Sequence, residues 1–217
     1  MTALIQGNRL VAFKKRIDMA EKLSDSLLKE WDSKVYADPK YGNEQRMIAE
    51  FLKRFGNNTD PLIVAAKISL IDLTNSTQLH RYKSRISLSD LTDIILSIKD
   101  FDARVAEGEE SLVKEISDAT AKNGVNLFSF ASKYCHYHNY CIYGRDDYSI
   151  YDSVVGKHLY EYSLEQDPID PGTPNKWRKE HDYHKFNSYI NKILDANGIS
   201  GNGRKRRFDH YLWFKYR

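Results

Sequence analysis

Cysteine is scarce in this 217-residue chain: Cys135 and Cys141 alone cannot build a disulfide framework, so a reducing, intracellular (cytoplasmic) setting is expected. Glycine (11) and proline (5) are also few, which favours regular helices over long loops. No run approaches the roughly 18 apolar residues of a membrane span. Met1–Gln6 lacks a basic segment leading into an apolar core, so no secretory leader is expected. Alternating apolar strands with hairpin turns are missing too, as are internal repeats and low-complexity tracts.

What is present is helical periodicity. Leu10, Phe13, Ile17, Ala20, Leu23, Leu27 and Trp31 recur at three- and four-residue steps and predict one long first helix. Met47, Ile48, Phe51, Leu52 and Phe55 form a second stripe closed by Gly56. Asp60 and Pro61 predict the N-cap and first position of a third helix, which dissolves into the polar turn 74–78. Ser89 is expected to cap a short helix, and another runs from Glu109 to Asn123, stopped by Gly124. Further helices are expected after Lys133, from Asp152 to Tyr162, and from Tyr183 to Leu194, with Gln166–Pro174 as a linker. The fold class is therefore all-α, a single helical domain over 1–217 that can be divided into two lobes.

The overall charge of +3 is unevenly spread. Residues 176–217 hold eleven Lys/Arg against four Asp/Glu, whereas the preceding 175 are mildly acidic. A basic C-terminal part on an acidic body is what a polyanion-binding face looks like. Arg204, Lys205, Arg206 and Arg207, with Lys176, Arg178 and Lys179, are the expected phosphate contacts. The competing reading is a solvated surface with scattered cations.

Leu127 to Lys133 is six residues, Lys133 to Asp152 is nineteen, and the apolar pair Ile150 and Tyr151 precedes the aspartate. The nineteen-residue spacing recurs at Lys53/Asp72, Lys83/Asp102, Lys99/Asp118 and Lys176/Asp195 and means nothing alone. The context around Lys133 is what distinguishes it: turn, lysine, helix, loop, apolar pair, aspartate, helix. Over roughly 61–162 this pattern resembles the helix-hairpin-helix DNA glycosylases, most closely the 8-oxoguanine DNA glycosylase group. The hairpin glycines of that family are replaced here by Phe128, Ser129, Phe130, Ala131 and Ser132.

The resemblance implies a two-lobed helical fold with a cleft at Lys133 and Asp152. It implies a lysine nucleophile forming a Schiff base at a sugar carbon, and an aspartate stabilising the developing cation. Ser129 and Ser132 then stand where the family binds a phosphate. Asn75, Ser76 and Gln78 resemble the turn that fills the gap left by an extruded base. The expected partner is double-stranded DNA, met by a monomer that uses no cofactor and no metal. Other readings are a non-catalytic DNA-binding protein on the same scaffold, in a bacterial defence or regulatory role, and a helical protein–protein adaptor. Read structurally, Lys133 is a surface lysine and Asp152 an N-cap.

Two histidine and cysteine groupings compete for attention. Cys135, His136, His138 and Cys141 lack the spacing of a zinc ribbon or finger, so aromatic-rich packing is expected of them. His181 and His184 stand three residues apart without a third ligand and are expected at the surface.

Overall fold

A computed structural model of the chain describes residues 22–75 and 77–217, and the helices below are those of the described residues. There are eleven, with no strand beyond one isolated bridge between Leu164 and Asp167. The all-α expectation holds.

Helix α1 spans Asp25–Ala37, and Ser24 caps it by accepting from the Leu27 N–H at 3.2 Å. The long first helix expected from Leu10 is therefore interrupted: residues 22–24 are not helical, and a serine with extended backbone starts a new helix there. Its portion before Lys22 lies outside the described residues. Helix α2 is Tyr41–Arg54. Helix α3, Pro61–Asn75, begins as expected, with the Asp60 carboxylate accepting from the Leu62 N–H at 2.8 Å. A short 3-10 turn at Leu79–Tyr82 follows.

Helix α4 is Leu88–Ser97, and its cap is Ser87 rather than Ser89, because Asp90 at the third position completes a reciprocal capping box with Ser87. Helix α5, Phe101–Glu107, has too few residues to display a period and is not apparent in the sequence. Helix α6 is Ser111–Ala121, and Gly124 turns the chain after it with φ +69°, which favours glycine.

Helix α7, Phe128–Tyr143, is the centre of the molecule. Every residue from Phe130 to Asn139 is buried, and α2, α3, α5 and α6 all pack against it. A helix buried all round carries no amphipathic stripe, which is why periodicity reads it poorly. Helix α8 (Ser153–His158) continues into a 3-10 turn at Leu159–Tyr162. Helix α9, Thr173–Glu180, starts with Pro174 in its first turn, inside the stretch expected to be a linker. Helices α10 (Tyr183–Ala196) and α11 (Arg204–Tyr216) close the described chain. Helix α11 packs on α1 and α8, so the last helix lies against the first.

A buried lysine facing two carboxylates

Lys133 lies in the second turn of α7, not at a helix start, because the helix begins at Phe128 with no intervening hairpin. The side chain is 6% exposed, and Nζ donates to the Asn75 carbonyl at 3.0 Å, at the end of α3. Burial lowers its hold on the proton, and the charges of Asp152, Asp209 and Asp72 act in the opposite direction. Lys133 and Asp152 are thus close enough for their charges to interact.

Asp152 is the N-cap of α8. Its Oδ1 accepts from both the Val154 and Val155 N–H groups at 2.8 Å. Capping uses one oxygen and leaves Oδ2 for other partners, so the structural and the chemical readings of this residue are compatible. Asp209, on α11, was not singled out by the sequence. Its carboxylate is half-buried and accepts no hydrogen bond among the described residues. Burial first, then the neighbouring Asp152 charge, hold its carboxyl well above the usual range, against the opposing pull of Lys133. A basic group with a weakened hold on its proton and a carboxyl with a strengthened one thus act on each other through their charges.

The walls are aromatic and amide groups. Tyr137 donates to Asn75 Oδ1 at 2.7 Å and is bonded to Gln45 Nε2 at 3.1 Å. The Tyr41 ring stacks on Trp213 of α11 at 4.5 Å and 21°. Burial raises its hydroxyl pKa well above the ordinary value, helped by Tyr137, Asp209 and Asp152.

Several expected DNA contacts are turned inward. The Asn75 amide is held by Tyr137 and Thr74, and its carbonyl holds Lys133, so it is a wall of the site rather than an inserted side chain. Ser76 lies outside the described residues. Gln78 is exposed in the left-handed region, φ 60°, at the tip of the turn. Ser129 is half-buried in the first turn of α7. Ser132 is fully buried, donating to the Ser129 carbonyl at 2.9 Å and accepting from the Tyr151 N–H at 3.0 Å, so its hydroxyl has no reach to a phosphate.

The basic cluster on α11 is likewise committed within the molecule. Arg204 pairs with Asp195 and donates to Asn191 Oδ1 at 3.0 Å. Lys205 is buried, its amine shared by the Asp147 carbonyl and Asn187. Arg206 pairs with Asp32 at 2.9 Å and with the Tyr36 hydroxyl, and Arg207 pairs with Asp25 at 3.1 Å. Counting charges missed the carboxylates of α1 that meet them.

The histidines of α7 are packing groups. His136 Nδ1 meets the Tyr148 carbonyl at 2.8 Å, and His138 Nδ1 meets that of Tyr134 at 2.7 Å. Burial raises the Cys135 thiol, and pushes that of Cys141 up to about 12. Among the described residues no three His, Cys, Asp or Glu gather as metal ligands would. His181 is buried rather than superficial, clasped by Asp118 at 2.7 Å and Asn126 at 2.9 Å, whereas His184 is exposed. No helix among the described residues is long and apolar enough to cross a membrane.

The family model HI_0787_N, an N-terminal domain, matches residues 23–146. That span carries Asn75, Tyr137 and Lys133 and stops short of Asp152 and Asp209. An uncharacterized protein of Haemophilus influenzae (strain Rd) is 31% identical over 120 residues, 55% of this chain. The chain spans about half (52%) of that relative's length. No solved structure matches. The family match covers more than half of the chain, which therefore belongs to the HI_0787_N family.

Proposed function

We propose that the chain excises a damaged base from DNA through a lysine Schiff base, on a scaffold of the helix-hairpin-helix glycosylase kind with a cleft between two lobes. The observation that carries this reading is the buried Lys133 amine, bonded to the Asn75 carbonyl and within reach of the charges of Asp152 and Asp209. A lysine is nucleophilic only when neutral, and a reference pKa near 10.4 must be lowered for that.

In the proposed reaction Lys133 gives up its proton to a carboxylate of the site. The neutral amine forms a bond to the sugar C1′ while the C1′–N bond breaks, and the base leaves with that electron pair and takes up a proton. Opening of the sugar ring gives the protonated imine between Lys133 and C1′. Loss of a C2′ proton then expels the 3′ phosphate and nicks the strand. Asp152 Oδ2 supplies negative charge where the sugar becomes cationic. Oxidised purines are the substrates that the resemblance suggests.

Borohydride reduction tests this. It should covalently trap the protein on a duplex with an abasic site, and on a duplex holding the proper lesion. Lys133→Ala should abolish trapping, and Lys133→Gln should retain binding. Asp152→Asn keeps the capping oxygen while losing the charge, so base release should slow by about 10² or more at little cost in stability. Full trapping by Lys133→Ala would overturn the lysine assignment. The second reading, a non-catalytic DNA-binding protein, is favoured by the direct start of α7 at Phe128, which leaves no glycine hairpin. Binding of duplex DNA without trapping on any lesion would select it.

A further inference from the structure

The cations that face outward near Lys133 are not those of α11. From residue 73 to 89 the chain has no Asp or Glu and carries His80, Arg81, Lys83 and Arg85. From 119 to 145 it again has no acid, and Lys122 stands in the turn before α7. The two acid-free stretches meet twice. Lys133 Nζ reaches the Asn75 carbonyl at 3.0 Å, and Arg85 Nη1 reaches the Gly124 carbonyl at 3.2 Å. His80, Arg81, Lys83, Arg85 and Lys122 are all exposed.

The acids at the fringes are occupied by their own neighbours. Asp72 accepts from Thr77 and from the Leu79 N–H, and Asp90 is bound by Ser87. Asp118 is held by Lys114 and His181. A ridge of positive charge thus begins at the carbonyl that holds the reactive lysine and runs along 78–85 to the turn 122–126. Neutral donors alternate with its cations: Gln78, Ser84 and Asn123 are exposed on it.

We infer that this ridge is the phosphate-binding face, taking the backbone of a nucleic-acid duplex on either side of the nucleotide whose sugar meets Lys133. The inference rests on the proposed function and names the surface that serves the same site. Spaced guanidinium and ammonium groups mixed with small neutral donors suit a chain of phosphates, which needs many contacts of modest strength. On α11, by contrast, every cation from Arg204 to Arg207 is drawn inward by a partner in the chain.

The experiment compares wild type, R81Q/K83Q/R85Q, and the control K185Q/K192Q, whose lysines are paired with Asp182 and Asp167. The probe is a duplex with one abasic site, with affinity followed over a salt series and trapping scored at saturating protein. The triple variant should flatten the plot of log affinity against log salt by about 0.9 for each phosphate no longer neutralised. It should still be trapped when saturated, because Lys133 is untouched, and the control should keep the wild-type slope. An unchanged slope in the triple variant, with wild type bound and trapped, overturns the inference and leaves the proposed function standing. Absence of wild-type binding at low salt overturns both. Competition by polyglutamate as strong as by duplex overturns the nucleic-acid assignment in favour of an acidic protein partner.

Discussion

Ser132 and Tyr151 each stand one residue before a member of the site, and the Ser132 hydroxyl joins them. The Tyr151 N–H donates to Ser132 Oγ at 3.0 Å, so the residue before Lys133 fixes the residue before Asp152. The far end of Tyr151 is fixed as well: its hydroxyl donates to Asn175 at 3.0 Å and fills the space where a side chain on Gly156 would collide, at 2.6 Å. Ser132→Ala leaves a buried N–H without a partner and frees the Asp152 segment. The expected loss is about 2 kcal/mol of stability, read by denaturant titration, with slower trapping on the abasic duplex. Ser132→Thr retains the hydroxyl and should restore the trapping rate more than Ala does. An unchanged rate in Ser132→Ala would remove the positioning role. Lys133 and Asp152 were singled out in the sequence by the turn, helix, loop and apolar pair that frame them. Asp209 was not, since it enters from a helix remote in sequence with no local pattern around it.

Over residues 130–139, helix α7 shows what an element costs when nothing about it faces water. His136 and His138 lie on it fully enclosed, and burial depresses both to about 3 from the ordinary 6.5. Each ring spends its Nδ1–H on a backbone carbonyl, and His138 Nε2 has no partner among the described residues. With the folded pKa below the unfolded one, the unfolded chain binds more protons between pH 6.5 and 3. Stability is therefore full above pH 6.5 and lost as pH falls through that window, by about 2 kcal/mol per histidine at pH 5. Thermal unfolding from pH 7 to 5 should show a falling midpoint, and His138→Phe should flatten about half of that fall. A midpoint independent of pH over this range would contradict the enclosure of the two rings. The same burial bears on an error at the level of elements: the segment before Lys133 was expected as a turn, on its resemblance to a hairpin, and is helical from Phe128, with apolar and small polar residues in irregular alternation. Inside a helix surrounded on all sides, that irregularity carries no penalty.

At the scale of the whole molecule, α1 and α11 form a clasp built on charge. Asp32 takes Arg206 at 2.9 Å and His210 at 2.7 Å, and both interactions span more than 170 residues of chain. Neighbouring charges and the His210 hydrogen bond lower the Asp32 carboxyl despite its burial. Asp32→Ala would leave Arg206 and His210 facing a vacated site and should cost about 3 kcal/mol or more, several degrees in the unfolding midpoint. Asp32→Asn, which keeps a hydrogen-bond acceptor, should lose less. If Asp32→Ala unfolds like wild type, the clasp contributes nothing. Most helices could be read from the sequence, but this pairing could not, because periodicity says which face is buried and never against what. The same blindness hid the partners that Arg204–Arg207 have within the chain.

The clasp also orders events in time. Pairs separated by most of the chain close late, since the entropy of so large a loop must be met before any contact rewards it. Until α11 docks, Asp209 is remote from Lys133, and the part of its charge in raising the proton affinity of the amine is missing. The electrostatic surroundings of Lys133 are therefore completed only when α11 is in place. The rate at which an amine-selective reagent labels Lys133 during refolding should therefore change in the phase when the two helices come together, which makes it a clock for the end of folding.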